Sequence, residues 1–185
     1  AGAAAGAALG AADVLVAVAA SGRTPYTLAA LEAARAGGAL CIGIANVAGC
    51  PLLAAAEHAI LLATGAEVIA GSTRLAAGTA QKVALNLFST LVMVRLGHVH
   101  RGRMVDVQAS NDKLRARAAR MVAELAGCDA QAAGAALATA GGSVKRALLV
   151  LRGLDPAAAA ALLARHRGHV GAALGALDTR GREVR

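Results

Sequence analysis

Three short apolar runs, separated by helix-forming stretches, constrain this chain more than any other feature. They are "VLVAVAA" after Asp13, "ALCIGIAN" from Ala39 and "HAILLAT" from His58. An unbroken aliphatic run bounded by turn residues suits a strand inside a parallel sheet, whereas a strand with one wet face alternates. Between the first two runs, Pro25 sits well at the first turn of a helix that reaches about Arg35, and Gly37-Gly38 ends it. Cys50-Pro51 opens a second, shorter helix before the third run. The order βαβαβ with short connections predicts an α/β fold built on a parallel sheet with right-handed crossovers. A loop, "GAEVIAGST", then leads into a long helix from Arg74 to Gly97.

At 185 residues the chain fits one compact domain, or one domain with a small appendage. With one Tyr, one Phe and no Trp, its core must be made of Ala, Val and Leu. The net charge is +8, and 16 of the 19 basic residues are Arg, scattered along the chain. Their densest group is Arg115, Arg117 and Arg120, with Arg101, Arg103 and Lys113 just before. Without aromatic side chains to stack on bases, this pattern suits a solvated helix face or a small-anion site, and no nucleic-acid partner is expected. Cys41, Cys50 and Cys128 are odd in number and widely spaced, so neither a disulfide framework nor a zinc site is implied. The N-terminal "AGAAAGAALGAAD" lacks the cationic and apolar regions of a signal peptide. Gln81, Lys82, Asn86 and Arg95 interrupt the long helix, which argues against a membrane span. A cytoplasmic protein with no membrane partner is the expectation.

The tail carries a repeat. "DAQAAGAALATAGGSVKRAL" from Asp129 aligns with "DPAAAAALLARHRGHVGAAL" from Asp155 at an offset of 26 residues. Asp129/Asp155, Leu137/Leu163, Gly142/Gly168, Val144/Val170 and Leu148/Leu174 superpose. Each copy reads as a helix, a Gly turn and the start of another helix, and a unit so small must pack on its neighbour. Before the repeat, "MVDVQASNDKLRARAARMVAELAGC" reads as a helix with basic spacing.

Candidate chemistry lies beyond the carboxyl ends of the strands, where ligands of such sheets bind. Ser21, Gly22 and Thr24 form a small turn ahead of a helix N-terminus, which suits a phosphate or carboxylate; a plain N-cap is the alternative. Ser72, Thr73 and Arg74 repeat that chemistry at the next helix start. Two such ends at one sheet edge suit a sugar phosphate. Glu67, in the second loop, is the local candidate for a general acid or base, with helix capping as its alternative. His98 and His100 form an isolated pair with no further metal ligands nearby.

The segments "VAASGRTPYTLAALEAAR", "GAEVIAGSTRLAAGTAQKVALNLFSTLVMVRLG" and "MVDVQASNDKL" together resemble the N-acetylmuramic acid 6-phosphate etherases. That family belongs to the sugar isomerase (SIS) superfamily and is related to glucokinase regulatory proteins. The resemblance runs from about Asp13 to Leu177. It implies a partial SIS-type, flavodoxin-like sandwich over residues 1–103, a ubiquitin-associated (UBA)-like helical domain with the 26-residue repeat over 104–177, and a tail at 178–185.

The resemblance further implies cleavage of the D-lactyl ether of MurNAc 6-phosphate, by elimination of lactate and addition of water. It implies no metal or nucleotide cofactor, a homodimer with the site near the subunit interface, and a place in peptidoglycan recycling. The chain departs from the family at Ala66, where "GPE" is usual, at Ala76, where a basic residue is common, and at Arg103 in place of the usual "GNLMVD" pattern. A preceding family segment, with a "GAGTSGRL"-like loop and the acid/base glutamates, has no counterpart here. The expectation is a truncated chain, a partial gene, or a half completed by another polypeptide. A non-catalytic sugar-phosphate-binding regulator is the second reading, and an aldose–ketose isomerase the third.

Overall fold

A computed structural model describes residues 1–183, with side chains described as far as Thr179. The chain divides into two compact units, Ala1–Phe88 and the part from Ser89 onward.

The first unit begins with α1 (Gly2–Ala7), a helix that the Ala/Gly composition of this segment did not announce. Gly2 and Gly6 are its buried residues, and a Cβ on either would collide with the Tyr26 or Ala30 carbonyl of the next helix. The close approach therefore depends on glycine. There follow β1 (Val14–Val18), α2 (Pro25–Ala36), β2 (Leu40–Ala45), α3 (Pro51–Ala55) and β3 (His58–Leu61). The strands form a three-stranded parallel sheet in the order β1-β2-β3, with Val14 opposite Leu40 and Ile42 opposite His58. The core is small and aliphatic: Ala17, Leu31, Ala34, Cys41, Ala45, Cys50 and Leu52. Four of the six residues of β2 are buried, whereas all four residues of β3 are exposed. The third apolar run is thus a sheet edge, open on its far side among the described residues.

Helix α4 (Ala76–Arg95) runs from the first unit into the second. It starts two residues later than the pattern suggests, at the point where the Glu67 carboxylate meets its first N–H groups. Of its 20 residues only Ala77 is buried.

The second unit holds an antiparallel hairpin, β4 (Val99–His100) and β5 (Arg103–Met104), turned at Arg101-Gly102 with both φ angles positive. Five helices follow: α5 (Asp112–Ala126), α6 (Ala130–Thr139), α7 (Val144–Val150), α8 (Pro156–Arg165) and α9 (Val170–Glu183). Helix α5 begins well inside the stretch read as helical, because Asn111 accepts the N–H of Leu114 and stops the helix there. Met104, the first residue of that stretch, lies in β5 instead.

The two copies of the repeat have matching geometry. Asp129 caps α6 through the Ala132 N–H (2.7 Å), and Asp155 caps α8 through the Ala158 N–H (2.8 Å). Each first helix closes with a glycine N–H on a leucine carbonyl, Gly142 on Leu137 and Gly168 on Leu163, both at 2.8 Å. Val122, Leu137, Val144, Leu149, Leu163 and Val170 share one core with Val105.

Candidate functional site

Three loops leave the carboxyl ends of the three parallel strands, and Asn46 ties them together. Its own N–H donates to Ala20 O (2.9 Å), which holds the loop after β1. Its side-chain amide donates to Leu62 O (3.0 Å) and lies 3.4 Å from Thr64 Oγ1, which holds the loop after β3. Its Oδ1 accepts from Gln81 Nε2 (2.8 Å), one turn inside α4. These bonds frame a cavity of about 370 Å³ whose walls include Ala20, Asn46, Thr64, Glu67, Ser72 and Thr73.

Glu67 is the ionised wall of that cavity. Its Oε2 accepts the N–H of Ala76 and its Oε1 that of Ala77, each at 3.1 Å. These N–H groups, Ala77 first and then Ala76, with Leu75 adding less, hold the carboxyl below the usual glutamate range against a small opposing effect of burial. The positive end of α4 is therefore already occupied by a side chain nine residues upstream. As an acid it has no proton to give near neutrality, and as a base it must first release the helix.

The two hydroxyl-rich turns share one local geometry. Ser21 Oγ accepts the Arg23 N–H, and Ser72 Oγ accepts the Arg74 N–H, both at 3.3 Å. They differ at the helix that follows. Thr24 holds the N-cap position of α2, but its hydroxyl makes no cap bond, and Pro25 has no N–H to satisfy. The first turn of α2 thus keeps donors that the first turn of α4 has spent. Gly22 is buried with φ +63°, a conformation that favours glycine, and a Cβ there would strike Cys50 Sγ. Its carbonyl accepts the Leu52 N–H (3.1 Å), so Gly22 docks the turn onto α3.

Of the residues singled out by sequence, Glu67, Ser72 and Thr73 line the cavity together. Ser21, Gly22, Thr24 and Arg74 are not among its lining residues, although Ala20, the neighbour of Ser21, is. Asn46 and Gln81 were not singled out. A polar residue closing a buried strand was the signal for Asn46, and Gln81 was read only as an interruption of an apolar helix. The histidines have separate roles: His98 Nδ1 pairs with Asp106, and His100 packs against Gly171.

A parallel α/β sheet with a hydroxyl- and carboxylate-lined cavity beyond its strand ends defines the class, and residues 5–91 match the SIS domain. Relatives extend the match. An N-acetylmuramic acid 6-phosphate etherase of Deinococcus radiodurans is 56% identical over 164 residues, covering 88% of this chain and 54% of that protein. One of Streptomyces avermitilis is 51% identical over 173 residues, covering 93% and 56%. An N-acetylmuramic acid 6-phosphate etherase 1 of Vibrio cholerae is 47% identical over 163 residues, covering 88% and 54%. By sequence the chain carries a SIS domain and is similar to N-acetylmuramic acid 6-phosphate etherases, and it spans about half the length of the curated relatives it matches.

Proposed function

We propose that this chain serves an N-acetylmuramic acid 6-phosphate etherase, a lyase that converts MurNAc 6-phosphate and water to GlcNAc 6-phosphate and D-lactate. The observation that carries this reading is the 56% identity with the Deinococcus etherase over 88% of the chain. In this proposal the open first turn of α2, with Ser21, Gly22 and Thr24, receives the phosphate. Ser72 and Thr73 face the sugar hydroxyls, and Arg74 adds a cation near the phosphate. Glu67 stands at the reacting end: it holds the start of α4, and any acid–base work by it requires exchange of the Ala76 and Ala77 N–H groups.

The proposal includes the division of roles between residues 1–103, as sugar-phosphate binder, and the UBA-like helices of 104–177. It places the protein in the cytoplasm, in amino-sugar catabolism and peptidoglycan recycling. It also includes a homodimer, supported by the exposed edge of β3 and by Leu87, Phe88 and Leu91, apolar side chains of α4 that are 59%, 41% and 62% exposed.

A specific observation favours the second reading, a sugar-phosphate-binding regulator: Glu67 is the one ionisable side chain lining the cavity, and both its oxygens are engaged. Two measurements on the same sample separate the readings. Lactate release from MurNAc 6-phosphate supports the etherase, whereas calorimetric binding of GlcNAc 6-phosphate without lactate release supports the regulator. In either case Ser21→Ala with Thr24→Ala weakens sugar-phosphate binding about tenfold or more. Unchanged affinity would overturn the phosphate assignment.

A further inference from the structure

We propose that Arg103, Arg117 and Arg120 form a binding site for a small phosphate-monoester dianion, built entirely within the unit that begins at Ser89. The arginine-rich stretch, which by sequence suits a solvated helix face or a small-anion site, is sorted by the fold into two kinds of side chain. Arg115 turns to its own helix and pairs with Asp112 at 2.6 Å. Arg117 and Arg120 instead line a cavity of about 310 Å³, with Met121 and Glu124 from α5 and Gly102, Arg103 and Met104 from the hairpin.

The spacing explains the convergence. Residues 117, 120, 121 and 124 lie at i, i+3, i+4 and i+7, one face of a helix, and the hairpin lies over that face. Within the cavity Arg103 Nη2 pairs with Glu124 Oε2 at 2.7 Å. Arg117 and Arg120 have no carboxylate within ion-pair distance among the described residues. The balance is three guanidinium groups against one carboxylate, which leaves two positive charges for a ligand to match. Guanidinium forks bind phosphate and carboxylate oxygens in pairs, and two such forks suit a dianion better than a single charge.

The hairpin that carries Arg103 is firmly seated. Val105 is buried, and its N–H donates to His98 O at 2.9 Å. The next residue, Asp106, takes His98 Nδ1 and the buried Lys145 Nζ, the latter at 2.8 Å. The site is thereby organised before a ligand arrives, which reduces the ordering cost of binding. Its volume is at the small end of the range for ligand cavities, roughly 300–1,000 Å³, and leaves room for the carbon skeleton of an ester beside its phosphate. No aromatic side chain lines it, so stacking of a nucleobase is not part of the recognition.

The chain has three methionines, two of which, Met104 and Met121, line this cavity while Met93 does not. Methyl NMR of the methionine-labelled chain, titrated with glycerol 3-phosphate, therefore reads the site directly. The expected result is saturable shifts of Met104 and Met121 with Met93 unmoved. Arg117→Ala with Arg120→Ala, both exposed side chains, weakens the affinity about tenfold or more at an unchanged melting temperature. Glu124→Gln, which removes the competing carboxylate, strengthens it about two- to threefold. The proposal is overturned by unchanged affinity in the double variant, by weaker binding in Glu124→Gln, or by an equal response to sodium chloride at the same ionic strength.

Discussion

Gln81 Nε2 donates to Asn46 Oδ1 at 2.8 Å, which joins the end of β2 to the second turn of α4. Asn46 in turn donates to Leu62 O, so one amide holds the mouth of the sheet to both the β3 loop and the helix after it. A buried or half-buried amide that loses its partners leaves them unpaired as well. Asn46→Ala is expected to cost about 2 kcal/mol in urea denaturation, and Gln81→Ala about 1 kcal/mol. Because the two share a bond, the double variant loses less than the sum of the singles. Strict additivity would show that the bond contributes nothing in solution.

Gly22 and Gly49 offer a controlled comparison. Both have positive φ, +63° and +64°, but a Cβ on Gly22 meets Cys50 Sγ whereas one on Gly49 meets open space. Gly49→Ala pays only for the backbone, about 1 kcal/mol. Gly22→Ala adds a packing collision and should cost about 3 kcal/mol in all. Thermal melts of the two variants test this, and equal losses would refute the docking role of Gly22.

The Glu67 cap makes an acid-side prediction. Its pKa is lowered in the folded protein, so its stabilising effect is fully present above the ordinary value of 4.5 and is lost as pH falls through the lower folded value. Glu67→Gln should therefore melt below the parent at pH 6, and the gap should narrow progressively as pH falls below 4.5. Asp106 also titrates low, but it is common to both proteins and cancels in the difference. A gap that does not narrow at all as pH falls below 4.5 would mean that the charge of Glu67 is not what holds α4.

Asp106 anchors the hairpin by a different balance. Burial opposes its ionisation, yet the hydrogen bond and charge of Lys145, and then those of His98, outweigh that and lower its pKa. Lys145 is the buried partner, with its side chain 8% exposed against 41% for Asp106. Removing the carboxylate strands a buried ammonium group, which in a fully buried pair costs about 3–5 kcal/mol. With Asp106 partly solvated, Asp106→Ala is expected to cost about 2 kcal/mol. Asp106→Ala combined with Lys145→Met should recover much of that loss in guanidinium denaturation.

Local pattern accounts for much of this protein. The three apolar runs specify the strands of the parallel sheet, although β3, as apolar as the others, lies exposed at its edge. Pro25, Gly37 and Gly38 bound α2, and the paired Asp129 and Asp155 announce two capped helices 26 residues apart, because caps act within four residues. The SIS assignment was legible for the same reason: its motifs are contiguous.

Tertiary structure alone decided the roles that depend on distant partners. Glu67 became a cap through N–H groups nine and ten residues away, and Asn46 a hub through partners up to 35 residues away. No local pattern records such pairings, since they arise only when the loops meet at one sheet edge. The same holds for the arginines. Spacing placed Arg117 and Arg120 on one helix face, but only the folded hairpin brought Arg103 over them, and that turned a run of positive charge into a cavity.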